Sequence, residues 1–256
     1  MGIKGKRKQQ RRQQQHQRIQ LQETTADLEI SSAESSTSAS IPSSSSSTST
    51  STSTSTSTST STPEPEMSTI RSLLLCSIGN PGSLLTTRHS AAHILLPHLT
   101  TTPLSLSRPH GGPTASGPSG STYTTQIFQS TSYMNVSGPA VSKAWRLFKS
   151  SPSNPNPTLI ILHDELEKPV GKVKYKKDGS AGGHNGLSSI RDSLAGQKTT
   201  IHKIGLGIGR PESRDKNVVA EYVLGRMSSR EKDLMIEEAL PVVLQMIEDI
   251  GTGKLK

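Results

Sequence analysis

The stretch LIILHDE at residues 159–165 joins four aliphatic residues directly to three polar ones. An uninterrupted apolar run of this length predicts a strand that is buried on both faces. A similar run, Leu73 to Leu75, predicts a strand within residues 70–78, which ends at the turn formers Gly-Asn-Pro-Gly of residues 79–82. Strands of this kind are typical of a sheet that helices cover on each side.

Helical and strand-like patterns alternate along the rest of residues 67–256. Further strands are predicted at residues 126–128, 170–176 and 201–208, and helices at about 87–99, 137–148, 187–190, 218–224 and 231–250. Pro97 is expected to end or bend the first helix. The alternation predicts one α/β domain, with a β-sheet sandwiched between helices.

Two segments lack such a pattern. Residues 31–62 consist almost wholly of Ser and Thr, and residues 1–22 contain basic residues but no acid. A segment without apolar surface cannot offset the entropy of ordering, so residues 1–66 are predicted to form a disordered tail. Residues 100–125 are rich in Thr, Ser, Pro and Gly, which predicts a poorly ordered loop or insertion inside the domain.

Charge and cysteine content indicate the kind of partner and compartment. The net charge of +9 favours an anionic partner such as nucleic acid. Cys76 is the single cysteine, so no intrachain disulfide can form and a reducing compartment is expected. No apolar run is long enough to span a bilayer. The acid-free start fits a mitochondrial transit peptide or a plain basic tail, so we expect a mitochondrial or, alternatively, a cytoplasmic protein.

Polar residues follow the predicted strands at the points where the strands end. Asn80, Asn135 and Asp164 each come after an apolar strand, and Asn185 lies in a glycine-rich loop. In open α/β sheets, sites form beyond the carboxyl ends of the strands. The recurrence of polar residues at these ends predicts that they share one site.

His89 is the candidate general base, because an imidazole can take a proton from water near neutral pH and return it to a leaving group. Asp164 could orient it by accepting a hydrogen bond from the other ring nitrogen. The plainer alternatives remain open: His89 as a surface or capping residue, and Asp164 as an ordinary loop acid. The asparagines could donate to a developing oxyanion, or they could simply form turns.

Other residues with reactive side chains match no known site pattern. His184, His163 and His202 have spacings that fit no short metal-ligand motif, and there is no second cysteine, so no metal is predicted. Cys76 lies inside a predicted strand and is expected to be a small buried residue. Ser137 lacks the nucleophile-elbow pattern, which gives an acyl-serine mechanism no support.

Five motifs together, in this order, resemble the bacterial-type peptidyl-tRNA hydrolase family. They are IGNPG at residues 78–82 with TRH at 87–89, YMNVSG at 133–138, HDEL at 163–166 with Pro169 and Gly171, GGHNGL at 182–187, and IGRP at 208–211 with YVLG at 222–225. The resemblance covers about residues 70–250, except for the segment after Leu99.

The resemblance implies a monomer with a mixed, twisted sheet that needs no metal and no cofactor. It implies peptidyl-tRNA as the substrate and no membrane as a partner. It implies that His89 activates water and that Asp164 holds His89. The substrate would be bound by Asn80, Met134, Asn135 and Asn185, and tRNA phosphates would be contacted by Lys174, Lys176 and Lys177. From the sequence pattern alone, these lysines are equally well explained as a solvated strand face.

Two departures from the family pattern leave alternatives open. Ser90 stands where an Asn commonly follows the histidine, and Gly205 replaces an expected basic residue, which removes one phosphate contact. A non-catalytic RNA-binding protein that keeps the fold is therefore the alternative to an active hydrolase. An unrelated esterase has no nucleophile motif and leaves the basic charge unexplained.

Overall fold

Seven strands form one sheet in the computed structural model, which describes residues 70–255. The strands are β1 (Arg71–Ser77), β2 (Ser105–Ser107), β3 (Gly112–Ser116), β4 (Tyr123–Gln129), β5 (Pro157–Glu165), β6 (Val173–Lys177) and β7 (Ile201–Gly207). Their order is β2-β3-β4-β1-β5-β7-β6, with β4, β1, β5 and β7 parallel and the other three antiparallel to their neighbours. This confirms the mixed sheet. The predicted disordered tail at residues 1–66 lies outside the described residues.

The segment at residues 100–125 corrects the expectation of a poorly ordered loop, because it contains β2, β3 and the start of β4. Ala115 pairs with Ile127 and Thr114 with Phe128, so β4 supplies the hydrogen-bonding partner for β3. Of these two outer strands, β2 buries no residue and β3 buries little beyond Ala115. Strands that bury so little need few apolar residues, and tertiary pairing therefore outweighed weak local propensity.

Helices cover both faces of the sheet. They are α1 (Ala91–Leu95), α2 (Ser137–Ser150), α3 (Asn185–Ser193), α4 (Lys216–Leu224), α5 (Ser229–Leu234) and α6 (Leu240–Gly251). One core lies between the sheet and helices α1, α4 and α6, and the other lies between the sheet and helices α2 and α3. None of the helices described between residues 70 and 255 is long and apolar enough to cross a lipid bilayer.

Strand β1 belongs to both cores because successive side chains of a strand point to opposite faces. Leu73 and Leu75 contribute to the first core, and Leu74 and Cys76 to the second. Cys76 is fully buried, and burial raises the pKa of its thiol well above the ordinary range. The thiol therefore stays protonated, as expected for a residue whose role is packing.

The helix predicted at residues 231–250 is divided in two. A π-helical turn, Met235–Ala239, separates α5 from α6, and Pro241 stands in the first turn of α6. Proline has no N–H to donate to the preceding turn, so the regular series of α-helical backbone hydrogen bonds is interrupted there. The predicted effect of Pro97 is confirmed, since α1 ends at Leu95 and a 3-10 turn, Leu96–His98, follows.

Candidate active site

Three ionisable side chains meet at the carboxyl ends of the central strands. Asp164 is the last buried residue of β5, His89 lies in the 3-10 turn Arg88–Ser90 before α1, and His184 is the N-cap of α3. The rings of His89 and His184 lie 5.6 Å apart. Sequence reasoning paired His89 with Asp164 across 75 residues, and the fold brings them together.

His89 and Asp164 form a hydrogen bond with a defined direction. The Nδ1 atom of His89 lies 2.9 Å from Oδ2 of Asp164. A carboxylate can only accept, so Nδ1 carries the hydrogen, and in a neutral ring with this tautomer the lone pair lies on Nε2. The side chain of Asp164 is 2% exposed, whereas that of His89 is 17% exposed. The side chain of His89 is therefore partly accessible to water, whereas the carboxylate that orients it is shielded.

His184 is hydrogen-bonded to the second carboxylate oxygen of Asp164. Its Nε2 lies 2.9 Å from Oδ1 of Asp164, and its Nδ1 accepts a hydrogen bond from the backbone N–H of Leu187. Sequence reasoning considered His184 only as a metal ligand with His163 and His202, and so missed this contact. The GGHNGL motif was the available signal, because the histidine in it immediately precedes a helix.

The electrostatics of the three groups follow from this arrangement. Burial alone would raise the pKa of Asp164, but the imidazoles of His184 and His89 outweigh it and hold that pKa far below its usual range. Burial lowers the pKa of His184, and the Asp164 carboxylate more than compensates, so its pKa is raised. The bond from Leu187 acts in the opposite direction, since a protonated Nδ1 could not accept it. Asp164 is thus an anion throughout the physiological range.

The same three residues could hold a metal ion. One ligand atom from each of His89, Asp164 and His184 lies within 4.8 Å of the others. Two imidazoles and a carboxylate are a donor set that Zn²⁺ accepts. Both carboxylate oxygens are already hydrogen-bonded to imidazoles, so the arrangement is also satisfied as a proton-handling group.

Asn80 is fixed by the turn that follows β1. Its side-chain Oδ1 accepts from the backbone N–H of Met134 at 2.8 Å. Its backbone N–H donates to Oγ of Ser90 at 2.9 Å, and that hydroxyl reaches the carbonyl oxygen of Leu84 at 2.9 Å. Ser90 is fully buried and adjacent to His89, so it ties the asparagine turn to the histidine turn. No hydrogen bond from the side-chain Nδ2 of Asn80 to another residue is found within residues 70–255.

The other predicted substrate-binding residues divide into exposed and buried side chains. Asn135 and Asn185 are exposed, the first in the 3-10 turn Met134–Val136 and the second at the start of α3. Met134 is 1% exposed and packs in the core shared with α2 and α3. A Cβ added to Gly186 would lie only 2.5 Å from the Met134 sulfur. Met134 therefore supports the turn from below and offers little surface to a ligand.

The C-terminal helices hold the histidine turn in place. Glu231 of α5 binds Arg88 in a fork, with Nε–Oε1 at 2.7 Å and Nη2–Oε2 at 3.1 Å. The guanidinium also lies 4.5 Å from the ring centre of Tyr222, and the Arg88 backbone N–H donates to Gly225. Burial would raise the pKa of Glu231, but its bond to Arg88 lowers it below the ordinary value. The neighbour of His89 is thus anchored to a separate helix.

The three predicted phosphate-binding lysines do not share one face of β6. Lys174 and Lys176 alternate with Tyr175 and Lys177 along the strand, and Tyr175 packs on the core next to α6. Lys174 lies nearest to the histidine cluster, where its Nζ binds Glu165 Oε2 at 2.6 Å. Lys176 and Lys177 are exposed. Lys177 pairs with His202 at the far end of β7, on the opposite face from Lys174 and Lys176.

Comparison with known proteins identifies this arrangement. The model of the peptidyl-tRNA hydrolase family matches residues 74–256. The chain belongs to the peptidyl-tRNA hydrolase family. A crystal structure of peptidyl-tRNA hydrolase from Acinetobacter baumannii superimposes with a TM-score of 0.59 at 28% identity, covering 75% of this chain and 93% of that one.

Curated peptidyl-tRNA hydrolases from bacteria align with the central part of the chain. The protein of Thermodesulfovibrio yellowstonii is 40% identical over 129 residues, which is 50% of this chain and 64% of the relative. That of Neisseria meningitidis is 37% identical over 128 residues, or 50% and 62%. The protein of Citrifermentans bemidjiense is 34% identical over 166 residues, or 64% and 84%. The chain thus spans less than two thirds of the length of the first two of these relatives.

The two departures from the family pattern have structural counterparts. Ser90 makes the hydrogen bonds that join the turns of Asn80 and His89. At Gly205, an added Cβ would lie 3.0 Å from Cβ of Glu165 and 3.1 Å from Cε1 of His163. A larger residue would have to displace one of these neighbours. In this member of the peptidyl-tRNA hydrolase family, glycine therefore lets His163 and Glu165 pack closely against β7.

Proposed function

We propose that this protein hydrolyses the ester bond between peptide and tRNA in peptidyl-tRNA and so returns tRNA to translation. The observation that carries the proposal is the His89–Asp164 pair, in which Nδ1 of His89 is hydrogen-bonded to the buried carboxylate and 17% of the His89 side chain is exposed. Family membership over residues 74–256 supports the same reaction.

The proposed reaction uses His89 first as a base and then as an acid. Nε2 takes a proton from a water molecule whose oxygen attacks the carbonyl carbon of the ester, and a tetrahedral oxyanion forms. The bond from this carbon to the ribose oxygen then breaks, and the imidazolium gives its proton to the departing hydroxyl of the tRNA. Asp164 stabilises the imidazolium between the two steps, because it stays anionic in its buried position.

The asparagines are proposed as neutral donors around the ester. Support comes from three contacts along the chain: Asn80 is tied to Ser90 beside His89, Asn135 follows Met134, which donates to Asn80, and Asn185 follows His184, which binds Asp164. A donor aimed at the developing oxyanion contributes about 3 kcal/mol to transition-state stabilisation. Neutral donors suit this site, since they stabilise the oxyanion without adding a net charge beside the His89–Asp164 pair.

The lysines of β6 are proposed as contacts for tRNA phosphates. Lys174 is closest to the catalytic pair, and Lys176 continues along the same face. Lys177 is proposed to contact phosphate at a different surface, because it faces the other way. Phosphate contacts position a nucleic acid without reading its sequence, which suits an enzyme that acts on many tRNAs.

The decisive experiment measures peptide release from an N-blocked aminoacyl-tRNA by wild type and His89→Ala. Loss of a general base should reduce the rate on the order of a hundredfold or more. His98→Ala is the matched control, because His98 is exposed and lies outside the site. If wild type binds tRNA but releases no peptide, the hydrolase proposal fails and the protein is a non-catalytic RNA-binding member of the family.

We also propose that the protein acts as a monomer in mitochondria. The acid-free, basic segment at residues 1–22 supports mitochondrial import, and the single cysteine suits a reducing compartment. Import of the full chain into isolated mitochondria would test the compartment, and sedimentation would test the oligomeric state. Retention of the chain in the cytosolic fraction would favour the cytoplasmic alternative.

A further inference from the structure

A basic cavity lies at the amino ends of the parallel strands, away from His89. It has a volume of about 400 Å³. Its lining includes the side chains of Arg71, Lys149, Lys177, Lys198, His202 and Thr199. Thr158 also lines it and precedes Asp164 by six residues on β5, so the cavity and the catalytic pair lie about 20 Å apart along the strand. The cavity is therefore separate from the active site.

The charged side chains that line this cavity, which we call the distal basic pocket, are all cationic. Its lining includes four permanent cations and no carboxylate. Within residues 70–255, Arg71, Lys149, Lys177 and Lys198 form no ion pair within 4.0 Å. Unpaired cations that converge on one cavity repel each other, so the free energy of the fold improves when an anion occupies it.

The positive charge of these cations affects the pKa of His202, a buried residue in the lining of the pocket. His202 is 5% exposed, and burial followed by the charge of Lys177 lowers its pKa. Arg71 acts in the same direction, and only Asp178 opposes it. Asp178 is a single carboxylate beside four cations, and its Oδ1 also accepts from the backbone N–H of Ile201 at 2.7 Å. The pocket therefore stays electropositive.

The floor of the distal basic pocket also carries neutral donors. The indole Nε1 of Trp145 donates to Oγ1 of Thr199 at 3.2 Å, so the hydroxyl hydrogen of Thr199 is free for another acceptor. Trp145 itself is 2% exposed. Cations combined with hydroxyl donors are the partners that phosphate oxygens take, and the volume suits a group of pyrophosphate to mononucleotide size.

We propose that the distal basic pocket is a binding site for phosphate groups, distinct from the catalytic centre. The phosphates come either from a free polyphosphate or from the backbone of a bound RNA. Trp145 reports occupancy directly, because it lines the pocket and is the single tryptophan of the chain.

The test follows the fluorescence of Trp145 in the full chain during titration with inorganic pyrophosphate and, separately, with a short RNA duplex. Lys149→Gln and Lys198→Gln should each weaken binding about tenfold, since each removes a charge-assisted contact. Both lysines are exposed, so neither change threatens folding. Lys143→Gln is the matched control, because Lys143 is exposed on the same helix as Lys149 but lies outside the pocket.

The two titrations separate the sources of phosphate. A saturable change with pyrophosphate that Lys149→Gln weakens and Lys143→Gln leaves intact assigns the site to free polyphosphate. The same pattern with the RNA duplex alone assigns it to the RNA backbone. If neither probe binds by fluorescence or calorimetry, or if Lys143→Gln weakens binding as much as Lys149→Gln, the proposal is overturned. None of these readouts depends on hydrolysis.

Discussion

At the scale of single residues, the carboxylate of Asp164 has an imidazole on each of its oxygens. His89 and His184 both donate to it at 2.9 Å. An amide in its place offers one acceptor and one donor, so it can accept from only one of the two rings. The tautomer of His89 therefore depends on the negative charge of Asp164 as well as on its position.

We expect Asp164→Asn to reduce peptide release on the order of a hundredfold, because an amide N–H facing Nδ1 moves the hydrogen of His89 to Nε2 and removes the base. The measurement is the hydrolysis rate with saturating substrate, together with thermal unfolding. Asp192→Asn is the matched control, since it makes the same chemical change at an exposed position of α3. Activity within twofold of wild type in Asp164→Asn would show that the carboxylate does not orient His89.

At the scale of secondary-structure elements, the turn that carries His89 is held by α5. The fork between Arg88 and Glu231 is mostly shielded from water, with 19% and 16% of the two side chains exposed. Glu231 also completes the capping box of α5 with Ser228. One carboxylate thus caps the start of α5 and fixes Arg88, the neighbour of His89.

Glu231→Gln should lower the free energy of unfolding by about 1–3 kcal/mol, because it weakens two charge-assisted hydrogen bonds in a partly buried place. The rate of peptide release should fall as well, since the turn at Arg88 loosens. Urea unfolding and hydrolysis measure the two effects. Glu237→Gln removes only an exposed ion pair with Arg230, so it should change neither the free energy of unfolding nor the rate of peptide release. Equal behaviour of the two variants would contradict the anchoring role.

At the scale of the whole molecule, two buried neutral histidines tie folding to pH. Burial lowers the pKa of His93 and of His163 from 6.5 to about 4. The Nδ1 of His93 lies 2.7 Å from Oγ of Ser77 on β1, and the Nδ1 of His163 lies 2.6 Å from the carbonyl oxygen of Asp164. Both rings therefore pack against the central strands in their uncharged form.

The free energy of unfolding should fall by about 3 kcal/mol or more as pH drops from 6.5 to 4, because the unfolded histidines take up protons first. Protonation of Asp164 removes further stability at lower pH, since its pKa is depressed in the fold. The raised pKa of His184 acts the other way, and its contribution is lost as pH rises above that pKa. Urea unfolding at several pH values measures the slope.

His93→Gln isolates one of these two contributions, because glutamine does not titrate. The variant should show a shallower loss of stability between pH 6.5 and 4, whatever its absolute stability. His98→Gln, a change at an exposed position, should keep the slope of wild type. An unchanged slope in His93→Gln would rule out His93 as a source of the acid sensitivity.

The sequence by itself determined the features that depend on local chemistry. The apolar runs of β1 and β5, the turn at Asn80 and the end of α1 at Pro97 follow from hydrophobic pattern and backbone preference. The same patterns placed Asn80, Asn135 and Asp164 at or after strand ends. In the structure Asp164 lies near the end of β5, whereas Asn80 and Asn135 lie in the turns that follow β1 and β4. Imidazole chemistry made His89 a candidate base with plainer alternatives open, and the resemblance to a family then favoured the catalytic reading.

Only the tertiary structure decided the features that depend on contacts between distant residues. Strands β2 and β3 form because β4 offers hydrogen-bonding partners that a Ser- and Thr-rich segment lacks alone. His184 contacts Asp164, and Glu231 contacts Arg88. Four cations that are far apart in the chain line the distal basic pocket. Local propensity is a property of neighbouring residues. These contacts join residues that are distant in the chain, so they exist only after the sheet has assembled.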